Sequence, residues 1–167
     1  MPPTPVQAGL RAAYLTLLDA RPDALRRDGP ARHLTGSALV LDEDRSATLL
    51  VHHRKAGFWM QPGGHWEPGD ASLLATAVRE VREETGLEPG PGALPRILDL
   101  HTHDLAAAFG RCRTHLDVMF LLITRGRPEP VLSPESRDVR WFPLDALPEG
   151  IVPDLPERIE ARPGRGG

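Results

Sequence analysis

The chain has 167 residues, 40% hydrophobic and 26% charged, which is enough for one domain that buries a core without disulfides. Its 20 basic and 23 acidic residues give a net charge near −3, which argues against a general binder of nucleic acid or anionic membrane. A single cysteine, Cys112, excludes an intrachain disulfide and a cysteine-based zinc cluster, and no apolar run approaches the ~20 residues of a bilayer span.

No leader-like start is visible, so a cytoplasmic location is expected. Val6–Ala20 carries Leu10, Ala13, Tyr14, Leu17 and Leu18 at helical spacing, and Pro22 ends that helix before a short turn over Pro22–Arg27. Thr35–Leu41 and Ala47–His53 read as strands joined through the polar stretch Asp42–Arg45. Phe58–Gln61 reads as a short third strand, stopped by a turn at Pro62, Gly63 and Gly64. A helix starting near Ala71 or Ser72 runs to Thr85, with Gly86 placed to terminate it. Arg96–His103, Thr114–Thr124 and Val139–Pro143 are the remaining strands, and Val152–Ala161 is a weak last helix. Proline and glycine gather at Met1–Pro5, Glu88–Pro95, Arg125–Pro134 and Arg162–Gly167, marking loops and tails.

This order suggests an α+β protein, a mixed sheet packed between helices. One domain is expected over 1–167, with a core about 33–161, an amino-terminal helix about 6–20, and disordered tails at 1–5 and 162–167.

The second helix carries the chemistry. Leu74, Ala77, Val78 and Val81 form its buried stripe, whereas Glu80, Glu83 and Glu84 bring three carboxylates together on another face. Like charges at that spacing weaken an isolated helix unless Arg79 and Arg82 pair with them, which is the plain solvated-face reading. The preceding glycines allow close backbone approach, and Glu67 and Asp70 lie at the helix entrance. Oxygen ligands gathered in this way suit a hard cation such as Mg²⁺.

From Gly64 through Asp70 to Arg79-Glu80-Val81-Arg82-Glu83-Glu84-Thr85-Gly86-Leu87, the segment resembles the Nudix box of the Nudix hydrolases, which include MutT-like enzymes. The resemblance covers roughly Thr35–Pro148, and the second half of the box matches at every specified position. In the first half, Asp70 stands where the family has Glu, and eight residues rather than seven separate it from Arg79.

The resemblance implies a Nudix-type α/β/α sandwich and an Mg²⁺-dependent pyrophosphohydrolase, with Mn²⁺ as an alternative ion. It would cleave the diphosphate linkage of a nucleoside diphosphate joined to another group. By the same likeness, Glu83 and Glu84 are metal ligands, the Gly63 carbonyl is a further ligand, and Glu80 is either a ligand or the base. Arg79 orients the glutamates. Asp70 binds metal or caps the helix, Glu135 brings an additional acid from a loop, and Arg54 contacts phosphate, with Lys55 as its alternative. His65, nearest the glycines, is a substrate-contact candidate.

His52, His53, His101, His103 and His115 fall mostly on strands and read as polar decoration. Trp59, Trp66 and Phe142 read as packing that could also stack a base. Cys112 lacks a visible His-Asp pair that would make it a nucleophile.

The partner expected is a small nucleotide or diphosphate, with no nucleic acid and no membrane; a homodimer is expected by analogy alone. Two further functions stand beside the hydrolase. One is a Nudix-fold module that binds or senses a nucleotide without turnover; the other is isomerisation of an isoprenoid diphosphate, which needs a positioned cysteine. The sequence does not choose the substrate.

Overall fold

The computed structural model describes residues 4–89, 96–105 and 112–162. The expected tails lie mostly outside these residues, as do most of the two loops following Glu88 and Leu105. The elements run α1 (Pro5–Ala20), a short 3-10 helix (Pro22–Leu25), β1 (Arg32–Leu41), β2 (Ala47–His53), β3 (Trp59–Met60) and β4 (Gly63–His65). They continue with α2 (Leu73–Thr85), β5 (Arg96–Asp104), β6 (Thr114–Ile123), β7 (Ser136–Pro143) and α3 (Leu155–Glu160).

The strands join in one mixed sheet in the order β3-β2-β1-β6-β5, with β4 added to β1 and β7 to β2. β1 is its spine. It runs parallel to β6 along its whole length, from Arg32 beside Thr114 to Leu41 beside Ile123. Its other edge is shared, with β4 against Thr35–Ser37 and β2 against Val40 and Leu41.

Strand alternation divides the core into two layers. Leu34, Ala38 and Val40 of β1 pack with Tyr14 of α1 and with Ala77 and Val81 of α2. Leu39 and Leu41 turn to the opposite face, where Leu155 and Ile159 of α3 cover them. Helices therefore flank a mixed sheet on both sides, the α/β/α sandwich anticipated from the sequence.

The glycine segment is more than a turn. Gly63 and Gly64 belong to β4, paired with Ser37 and Gly36. Glycine is depleted in strands, so local propensity points away from this assignment. The second helix is capped by Ser72, whose hydroxyl accepts from Ala75 N at 3.1 Å. It ends at Gly86, which takes φ +69° and donates to Arg82 O at 2.8 Å.

A Cβ at Gly86 would also stand 2.9 Å from Val131 Cβ, so two penalties coincide there. Gly86→Ala is expected to lower unfolding free energy by about 1–2 kcal/mol from the left-handed backbone alone. Urea denaturation measures this, and a change below a few tenths of that range would contradict the cap.

Candidate active site

Three segments build the site: β4, the connection from Trp66 to Ser72, and the exposed end of α2. Arg79 sits at their meeting point. Its Nη2 donates to His65 O at 2.7 Å and to Asp70 Oδ2 at 3.0 Å, and its Nε donates to Asp70 Oδ1 at 3.2 Å. Its Nη1 reaches Glu80 Oε1 and Glu83 Oε2, both at 3.0 Å. One guanidinium thus fixes three carboxylates and a strand carbonyl, a task suited to its planar fork of donors.

Asp70 faces this arginine. Its carboxylate also accepts from Glu67 N at 3.1 Å and Thr76 Oγ1 at 2.9 Å. The Ser72 cap leaves the helix terminus to another side chain. Buried Asp70 meets a burial penalty, but the bonds from Arg79, Glu67 N and Thr76 outweigh it and hold its pKa below the usual carboxylate value.

Glu84 lies one turn along the helix from Glu80, is 6% exposed, and accepts from Gly63 N at 3.0 Å. Burial raises its pKa to about 8, and the charge of Glu80 adds to the effect. Burial likewise raises Glu80 to about 7, against the pull of Arg79. Glu135 from the loop before β7 is near enough for its charge to raise both.

Gly64 makes the approach of Glu80 to β4 feasible. A Cβ there would fall 2.3 Å from Glu80 Oε1. Gly63 is as tightly placed on the other face, where a Cβ would lie 2.5 Å from Ser37 Cβ.

Arg54 is joined to the Glu135 loop. Its Nε donates to Pro134 O at 3.2 Å, its Nη2 to Ser136 O at 2.9 Å, and its backbone N to Glu135 O at 3.0 Å. Trp59 packs edge-on against Phe142, ring centroids 4.8 Å apart, and Trp66 Nε1 donates to Asp70 O at 2.8 Å.

His65 divides its loyalties. Its carbonyl holds Arg79, but its imidazole turns toward His33, His115 and Cys112. Burial first, and then the neighbouring imidazoles and Arg27, lower the pKa of His65 to about 4 and of His115 to about 3. Sequence spacing hid this grouping: Cys112 and His115 stand three positions apart, but His33 and His65 come from distant segments, and His33 lies in the run ahead of the expected strand Thr35–Leu41.

Oxygen donors, two of them carboxylates with pKa values raised by burial, match a hard divalent cation better than they match each other. Arg79, which touches Glu80, does not bring the pKa of Glu80 down to normal.

Residues 31–162 match the family model described as the NUDIX domain, and the chain belongs to the Nudix family. It is 39% identical over 94 residues to the Xenopus laevis protein named nucleoside diphosphate-linked moiety X motif 6, covering 51% of this chain and 42% of that one. The chain spans less than half the length of the curated relatives it matches.

Among solved structures, a MutT NUDIX hydrolase from Burkholderia pseudomallei aligns with TM-score 0.62 at 22% identity, over 78% of this chain and 97% of that one. The NUDIX domain of Shewanella oneidensis NrtR, complexed with ADP ribose, aligns with TM-score 0.61 at 23% identity, over 90% and 94% of the two chains. Likeness at this identity establishes the fold. Among the described residues no helix is long and apolar enough to cross a membrane.

Glu80 and Glu84 set a pH dependence of stability. Their folded pKa values lie above those of the unfolded chain, so the folded state binds more protons at neutral pH and loses stability as those protons leave. Their part of the stability of metal-free protein is expected to be lost as pH rises from 4.5, the ordinary value, through about 7 for Glu80 and about 8 for Glu84. Glu84→Gln should flatten that slope in a melting series, and an unchanged slope would contradict the assignment.

Proposed function

We propose that this chain is a divalent-cation-dependent pyrophosphohydrolase that cleaves a diphosphate linkage in a nucleoside diphosphate joined to another group. The observation that carries the reading is the pair Glu80, half-buried, and Glu84, buried, gathered over β4 beside Arg79 with both pKa values raised. The Nudix family match over residues 31–162 and the name of the Xenopus relative support the same chemistry.

In this reading Glu83 and Glu84 hold the cation, which is Mg²⁺ or Mn²⁺, and Glu80 is either a third ligand or the acceptor of the water proton. The Gly63 carbonyl and Glu135 are further oxygen donors at the same mouth. When bound, the ion supplies charge neutralisation for the diphosphate and acidifies water. The chain's own part is orientation. Arg79 fixes the rotamers of Glu80 and Glu83, Gly63 N fixes Glu84, and Arg54 fixes the loop that carries Glu135. Water attacks one phosphorus, the phosphoanhydride P–O bond breaks, and two phosphate-bearing products leave.

Asp70 is a positioning residue here. Its shorter side chain and the extra residue after it still deliver a carboxylate to Arg79. This supports turnover over the reading of the domain as a binder without turnover. Arg54 and His65 would serve the substrate indirectly, through the loop and through β4.

The test is product release with Mg²⁺ from nucleoside triphosphates, dinucleoside polyphosphates, ADP-ribose and nucleotide sugars. At least one class should turn over, and Glu84→Gln should reduce that rate by at least about 100-fold while melting no lower than wild type. Ligand binding without release from any of them would establish the binder instead. Glu80→Gln divides its two roles: lost metal affinity marks a ligand, and retained affinity with lost turnover marks the base.

A further inference from the structure

On the reverse face of β4 from Glu80, three imidazoles and the only cysteine of the chain converge. His33 lies at the start of β1, with His115 its register partner in β6; His65 ends β4, and Cys112 precedes β6. One ligand atom from each of the four lies within 4.8 Å of all the others. We propose that His33, His65, His115 and Cys112 form a closed site for a transition metal, Zn²⁺ or an ion of similar ligand preference, separate from the carboxylate site.

The geometry suits a four-coordinate ion. His33 Nε2 and His65 Nε2 stand 3.1 Å apart, and Cys112 Sγ is 3.9 Å from His65 Nε2. A tetrahedral zinc with ordinary bond lengths sets its ligand atoms about 3.3–3.8 Å apart. Small rotamer adjustments therefore suffice.

The hydrogen bonds point the same way. His33 Nδ1 lies 2.9 Å from Pro30 O, and a carbonyl only accepts, so Nδ1 carries the proton and Nε2 offers its lone pair inward. A ligating histidine is commonly oriented by such a carbonyl. His115 Nε2 is buried with no hydrogen-bond partner. Buried polar atoms are rarely left so, and a metal bond would satisfy it. Two histidines and a thiol packed as hydrogen-bonding neighbours would leave that nitrogen orphaned.

Four N and S ligands with no open position define a structural centre rather than a catalytic one. Such an ion would staple β1, β4 and β6 and the segment entering β6. It would also steady the strand whose His65 carbonyl holds Arg79.

The test uses the full chain, stripped with chelator under reducing conditions and titrated with Co²⁺ in excess Mg²⁺, so that the carboxylates are already engaged. One equivalent should give the intense visible bands of four-coordinate cobalt and a near-ultraviolet thiolate band, both abolished by Zn²⁺. Cys112→Ser should remove the thiolate band, and His115→Ala should weaken cobalt binding at least tenfold. Glu84→Gln should leave the titration unchanged. Absence of the thiolate band in wild type, its survival in Cys112→Ser, or loss of binding in Glu84→Gln would each overturn the proposal. Circular dichroism of every variant separates lost ligation from lost fold.

Discussion

The carboxylate site is organised by one half-buried cation that meets three anions. Arg79 is 19% exposed and touches Asp70, Glu80 and Glu83 together with the His65 carbonyl. A paired buried charge costs desolvation that only good geometry repays, and its removal leaves partners stranded. The arginine therefore acts first as a joint. It locks the strand edge, the connection into α2 and the helix into one arrangement, and it leaves negative charge in excess on the open side. Under the proposed function that excess is what a divalent ion would neutralise.

A second buried arginine performs a comparable task on the other face of the sheet. Arg158 of α3 reaches Asp99 of β5 and Asp117 of β6, and pairs with Asp154 at 3.0 Å. Asp117 also accepts from Ser37 Oγ at 2.6 Å and Thr35 Oγ1 at 3.1 Å, so polar side chains of β1 are satisfied inside the sheet's covered face. Here the anions are fully committed to protein donors. The contrast with Glu80 and Glu84 separates a structural polar network from a site that remains short of positive charge.

Much of this was legible in the sequence, and what was not has physical reasons. The α2 stripe was readable because Ala77 and Val81 recur at helical spacing and both are buried. The acidic face was readable for the same reason, since i, i+3 and i+4 contacts are local. Gly63 and Gly64 read as a turn because propensity counts side chains, and their purpose is the absence of one beneath Glu80 and Ser37. Asp70 could not be placed by counting positions, because it lies in the connection ahead of α2, which begins at Leu73. Of the His33–His65–Cys112–His115 grouping only Cys112 and His115 are close in the chain; the rest was invisible because β1, β4 and β6 are not consecutive and the sheet register brings them together.

The central β1–β6 pair also governs how the chain must acquire its shape. Thr35 and Asp117, neighbours across that pair, are 82 positions apart. Parallel pairing at such separation must pay for closing a long loop before any ladder bond rewards it, which slows folding. During synthesis β1, β2 and α2 emerge while the long edge of β1 still waits for β6. The nascent amino-terminal half thus carries an open, apolar strand edge, the kind of surface that chaperones guard. The strand that organises the finished sheet thus waits 82 positions of synthesis for its parallel partner.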